Sequence, residues 1–126
     1  MEEAVKDVVS QLGRRGDTDL ALVFASTAYA SDLPRLLPLL QRELKSKHWL
    51  GAAGGGVVGT RSDGTASEIE QAPSLSVTLL TLPGAQIEAS ALATDSLPDL
   101  DGAAQQWQDW TGINPAHCRS QIVLID

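Results

Sequence analysis

Two glutamates, Glu68 and Glu70, stand two residues apart in the stretch EIE. On a strand, that spacing turns both carboxylates to one face and Ile69 to the other. So placed, the pair can hold a ligand ammonium group or work as an acid and a base. The same pattern also describes the solvated face of an edge strand. Ser26 and Thr27 follow the apolar run LALVFA, at the carboxyl end of a strand, where α/β proteins bind ligands. They equally suit the start of a loop, bonding local backbone groups. Ser26 lies in ASTA and not in a GxSxG elbow, so nucleophilic catalysis is not expected of it.

The remaining chemistry-bearing residues are sparse. His48 and His117 are the only histidines, and neither has a second ligand at metal spacing. His117 adjoins Cys118, but neighbours on an extended strand point to opposite faces and do not easily share a proton. Asp99, Asp101 and Gly102 echo a calcium loop, yet Leu97 and Gln108 occupy its would-be first and last ligand positions. No metal, no cofactor and no catalytic residue is therefore expected.

The stretch HWLGAAGGGVVGT, residues 48–60, has too much glycine for an ordinary strand or helix. Gly54, Gly56 and Gly59 fit GxGxxG, and Gly54 to Gly59 has the glycine spacing of a phosphate loop. The dinucleotide motif needs a helix after its last glycine, whereas TRSDGTAS has no helical periodicity. The phosphate loop needs Lys then Ser or Thr, whereas residues 60–62 are Thr, Arg and Ser. Two readings stay open for Gly54, Gly55 and Gly56. The glycines let two backbones pass closely or form a bulge. Alternatively, their unhindered N–H groups line a ligand pocket at the end of a strand, with Trp49 beside them as a stacking surface.

The positioning elements follow from periodicity. Val5, Val8, Val9 and Leu12 mark an amphipathic helix capped by Gly13. LALVFAS reads as a buried central strand. Asp32 is placed to cap a helix whose apolar face is Leu33, Leu36, Leu37, Leu40 and Leu44, with Pro38 predicting a bend or a delayed start. HWLGAA is a second strand, and strand, helix, strand makes a parallel crossover. GGVVGT, EIE, SLSVTLLTL and QIEASALA, separated by RSDGTAS and LPGA turns, predict an antiparallel meander. A loop over 94–102, a helix around 102–110 carrying Trp107 and Trp110 on one face, and a terminal strand QIVLID complete the pass. The fold class is α+β: a mixed sheet begun by one parallel βαβ crossover and continued by antiparallel hairpins, with about three helices packed on it.

Length and charge bound the function. The 126 residues suffice for one domain, and a net charge of −7 opposes nucleic acid, against which Arg14 with Arg15 and Lys45 with Lys47 are too few. No apolar run approaches the roughly 20 residues of a membrane-spanning helix, and the start MEEAVKDVV is unlike an export signal. A single cysteine fits a reducing cytoplasm.

DLALVFAS, DLPRLLPLL, LGAAGGGVVGT, EIE, APSLSV and LPGA occur in the order found in the N-terminal half of FIST domains, which the chain resembles from about Asp19 to its final VLID. The resemblance implies a non-enzymatic sensory and signal-transduction module binding a small amino-acid-like or anionic metabolite. It implies a single FIST N-terminal-like domain over 1–126, a fragment of a longer protein whose C-terminal FIST half is missing. Where the family loop often has Cys and Ser, this chain has Ala52 and Ala53, which points to non-covalent binding. The expected site is Ser26, Thr27, Trp49, Gly54, Gly55, Gly56, Glu68 and Glu70. The alternatives are a protein-interaction module presenting the EIE and SLSV strands or an apolar patch, with self-association through exposed core surface, and an enzyme of unknown chemistry.

Overall fold

The computed structural model describes residues 1–13 and 16–125, so the Arg14–Arg15 pair and the last residue of VLID lie outside the described residues. The chain divides into two compact units, Met1–Ala89 and Ser90–Asp126.

The first unit is built on β1, Thr18–Ser26, an apolar strand hydrogen-bonded on both sides. On one side runs β2, Ser46–Gly54, parallel to it, with Ala21 opposite Trp49 and Ser26 opposite Gly54. The connection between them is a 3-10 turn, Thr27–Asp32, and the helix α2, Leu33–Glu43, which gives the expected parallel crossover. Asp32 stands before α2 but makes no capping bond, because the 3-10 turn feeds directly into the helix and Asp32 already has helical backbone angles. Pro38 neither stops nor delays the helix: α2 starts at Leu33 and carries Pro38 inside it, where the missing N–H deprives the Pro34 carbonyl of its usual donor.

Alternation along β1 divides its side chains between two faces. Ala25 packs with Val5 of the helix α1, Glu2–Leu12, and with Leu36, Leu40 and Leu44, which share one face of the α2 stretch by their spacing of four. Val23, Trp49, Leu75, Val77 and Leu79 lie against this cluster, so both helices cover the same face of the sheet. Leu20 is buried on the other parity. There the ribbon of β3, Gly56–Thr60, and β4, Ala66–Glu70, folds back, with Gly59 against Ser76. The ribbon turns through Gly64 at φ 85°, and Asp63 accepts from the Thr65 hydroxyl at 2.6 Å and its N–H at 2.9 Å. These two donors hold the Asp63 carboxyl below its ordinary value.

The β segments after Gly55 do not form a meander. β3 and β4 pair with each other, but β5, Leu75–Leu80, crosses to pair antiparallel with β1. The apolar run SLSVTLL is better buried against a central strand than on a ribbon edge. LPGA makes the expected turn, with Gly84 at φ 79° and the Ala85 N–H donating to the Leu82 carbonyl. Residues 86–93 after it are not a strand; this stretch is alanine- and serine-rich with Ile87 its one β-branched residue.

In the second unit a 3-10 turn, Thr94–Ser96, precedes α3, Ala104–Thr111, which ends on Gly112 at φ 69°. Trp107 and Trp110 meet edge to face at 5.9 Å, and the Trp110 indole donates to Ser96 Oγ, so the pair serves packing. His117 and Cys118 both donate backbone N–H groups to the Asn114 carbonyl in a turn. Residues 121–125 form no strand, and Ile125 is 87% exposed. Their apolar character matches a strand, but pairing needs a partner edge that local sequence does not specify.

Gly51 shows why the middle of β2 holds a glycine. A Cβ there would collide with the Val23 carbonyl oxygen on β1, whereas one on Gly55 would meet open space. Gly51→Ala is expected to lose roughly 3 kcal/mol in urea unfolding and Gly55→Ala well under 1. Equal losses would contradict the close approach.

Candidate functional site

The crossover brings the carboxyl ends of β1 and β2 side by side, and Ser26 and Gly54 are register partners there. The glycines that follow do three different things. Gly54 ends β2; Gly55 is a bend outside any strand; Gly56 begins β3. Gly56 lies opposite Glu70, whose Cγ is 3.2 Å from where a Gly56 Cβ would stand, so the glutamate folds over the glycine. The Gly55 carbonyl accepts from the Gln71 N–H at 3.4 Å, while the Gly55 N–H makes no hydrogen bond among the described residues.

Gln71 closes this end in the left-handed region at φ 53°, a conformation uncommon for a residue with a side chain. No sequence signal marked it, because a lone Gln between Glu70 and Ala72 resembles any loop residue.

Ser26 is 2% exposed, and its hydroxyl accepts the Ser74 N–H at 3.1 Å. The Ser26 N–H in turn donates to the Ser74 carbonyl at 2.9 Å. The hydroxyl therefore ties the start of β5 to the end of β1. Thr27 is exposed at the head of the 3-10 turn. Glu68 and Glu70 share the exposed face of β4, with Ser67 and Ile69 half-buried between and beside them. Neither glutamate has a hydrogen-bond or ion-pair partner among the described residues. Thus Ser26, Thr27, Gly54, Gly55, Gly56 and Glu70 gather at one end of the unit, with Glu68 one step further along β4.

Trp49 does not join them. It lies five residues before Gly54, roughly 16 Å back along the strand, and packs on the helix-covered face. Its indole N–H donates to the Ser46 carbonyl at 3.2 Å. At this amino end Asp19 accepts from Lys47 Nζ at 2.7 Å and from the Leu82 N–H at 2.7 Å. The lysine first and the backbone donor second hold the Asp19 carboxyl below its usual range, and Asp19 raises the Lys47 ammonium. A cleft of about 370 Å³ opens here, between the end of α2 and the starts of β1 and β2. Sequence reasoning missed it, although Lys45 and Lys47, two apart at the start of a strand, were its visible trace.

Among the described residues no group of three or more His, Cys, Asp and Glu is arranged to hold a metal ion, and no helix is long and apolar enough to cross a membrane. Gly59 runs in β3 and continues into a turn, so the helix required by either phosphate motif is not there.

Compared with known families, residues 19–125 match the family model described as FIST N domain. No curated protein and no solved structure matches the chain. If Ser26 acts as a tie, Ser26→Ala leaves the Ser74 N–H unpaired and is expected to cost about 1–3 kcal/mol in chemical unfolding. A variant as stable as the parent would free Ser26 from that structural duty.

Proposed function

The chain belongs to the FIST N domain family, a family of sensory and signal-transduction modules, and from that premise we propose that its first unit binds a small amino-acid-like or anionic metabolite non-covalently at the glycine bend. One observation carries the reading: the exposed Gly55 has an N–H with no partner among the described residues, beside a Glu70 that folds over Gly56. A ligand carboxylate takes the N–H of Gly55, with Gly54 and Gly56 flanking it as side-chain-free backbone, and its ammonium group turns to Glu70, with Glu68 next on the same face. Thr27, exposed at the head of the turn after β1, supplies a hydroxyl at the rim. Ala52 and Ala53 offer no thiol or hydroxyl, so the module binds without a covalent step. Ser26 contributes by fixing the strand end, and Trp49 takes no part at this bend.

A second reading is favoured by a separate observation. β4 is paired on one side alone, and Val58 beside it on the ribbon is 65% exposed. Such an edge accepts a strand from a protein partner, including a second copy of this chain. In either reading the module is the whole FIST N domain, residues 19–125, working in the cytoplasm with a C-terminal FIST half as its partner.

Amino acids and small carboxylates screened by thermal shift test the first reading. A ligand at about 100 times its dissociation constant should add roughly 2.7 kcal/mol of stability. Gly55→Val has room for its side chain and is expected to stay folded while losing that gain. A folded variant that keeps every hit would move the site elsewhere.

A further inference from the structure

The cleft at the amino end of the sheet lies away from the glycine bend, and its lining has a chemistry of its own. Its floor is apolar: Trp49 and Leu44 both pack against the central cluster and also line the cleft. The indole is anchored, because its N–H is spent on the Ser46 carbonyl. Its ring surface, and not its donor, is what a ligand would meet.

The charges around this floor differ in how they are committed. Lys47 is engaged by Asp19 at 2.7 Å. Lys45 has no ion-pair or side-chain hydrogen-bond partner among the described residues. Its backbone is nonetheless fixed twice, since the Lys45 carbonyl accepts both the Thr18 N–H at 3.1 Å and the Thr18 hydroxyl at 3.0 Å. Thr18 itself is buried. An unpaired ammonium, among the described residues, thus springs from a fixed root at the edge of an aromatic floor. Gln41, exposed on the last turn of α2, adds an amide to the same rim. Asp17, also on the rim, disfavours a second negative charge on whatever binds.

We propose that this cleft is a second binding site, taking a small aromatic monocarboxylate. The ring lies on Trp49 and Leu44, and the carboxylate is held by Lys45 with help from the Gln41 amide. The cleft's volume of about 370 Å³ is within the range of small-molecule sites. The assignment is independent of ligand binding at Gly55.

Benzoate is the probe, titrated into the ¹⁵N-labelled full chain while the Trp49 indole and the Lys45 and Ser46 amides are followed by NMR. Saturable shifts at all three are expected, unchanged in Gly55→Val, so failure at the glycine bend and failure here are told apart. Lys45→Gln, at an exposed side chain, should keep the spectrum of a folded protein and weaken benzoate roughly tenfold. Gln41→Ala should weaken it less. No saturable shift at Trp49, or equal affinity in Lys45→Gln, would overturn the assignment.

Discussion

The fold of the first unit depends on how closely β2 approaches β1. Gly51 passes so near the Val23 carbonyl that no side chain fits between them. That contact fixes the parallel register, and the register then carries everything downstream: Ala21 faces Trp49 at one end, and Ser26 faces Gly54 at the other. Leu36, Leu40 and Leu44 seal the same strand pair from above, with Val5 of the first helix beside them. The ribbon can fold back across the opposite face because Gly59 leaves room against Ser76. Glycine at residues 51–59 is therefore two devices joined in sequence. One part allows close packing, and the other opens the chain at a bend.

Much of this was legible in the sequence, for physical reasons that differ by element. LALVFAS reads as a buried strand because the apolar run is short and carries β-branched and aromatic residues. The leucine spacing gave α2, and the order strand, helix, strand gave the parallel pair. What could not be read was pairing beyond neighbours. Short β segments separated by turns predict a meander for SLSVTLL, yet it pairs with β1, some fifty residues earlier by register from Ala25 to Leu75. The terminal run QIVLI looks like a strand by composition but pairs with no strand among the described residues, and Ile125 stays exposed.

The candidate site was legible in the same uneven way. Ser26, Thr27 and the glycines come together because the crossover sets the carboxyl ends of β1 and β2 side by side. Glu70 joined them through the Gly56 pairing, a register no local pattern predicts. Nearness in sequence puts Trp49 beside the glycines, but along an extended strand five residues separate rather than unite. It belongs to the opposite end, with the Asp19–Lys47 pair and the Lys45 cleft.

The central claim is that the glycine-rich stretch is strand up to Gly54 and open bend at Gly55. Residue-resolved amide hydrogen exchange tests it most directly. The account predicts the slowest exchange in β1 between Leu20 and Ala25, which is paired on both sides, and fast exchange at Gly55. A Gly55 amide as protected as those of β1 would contradict it.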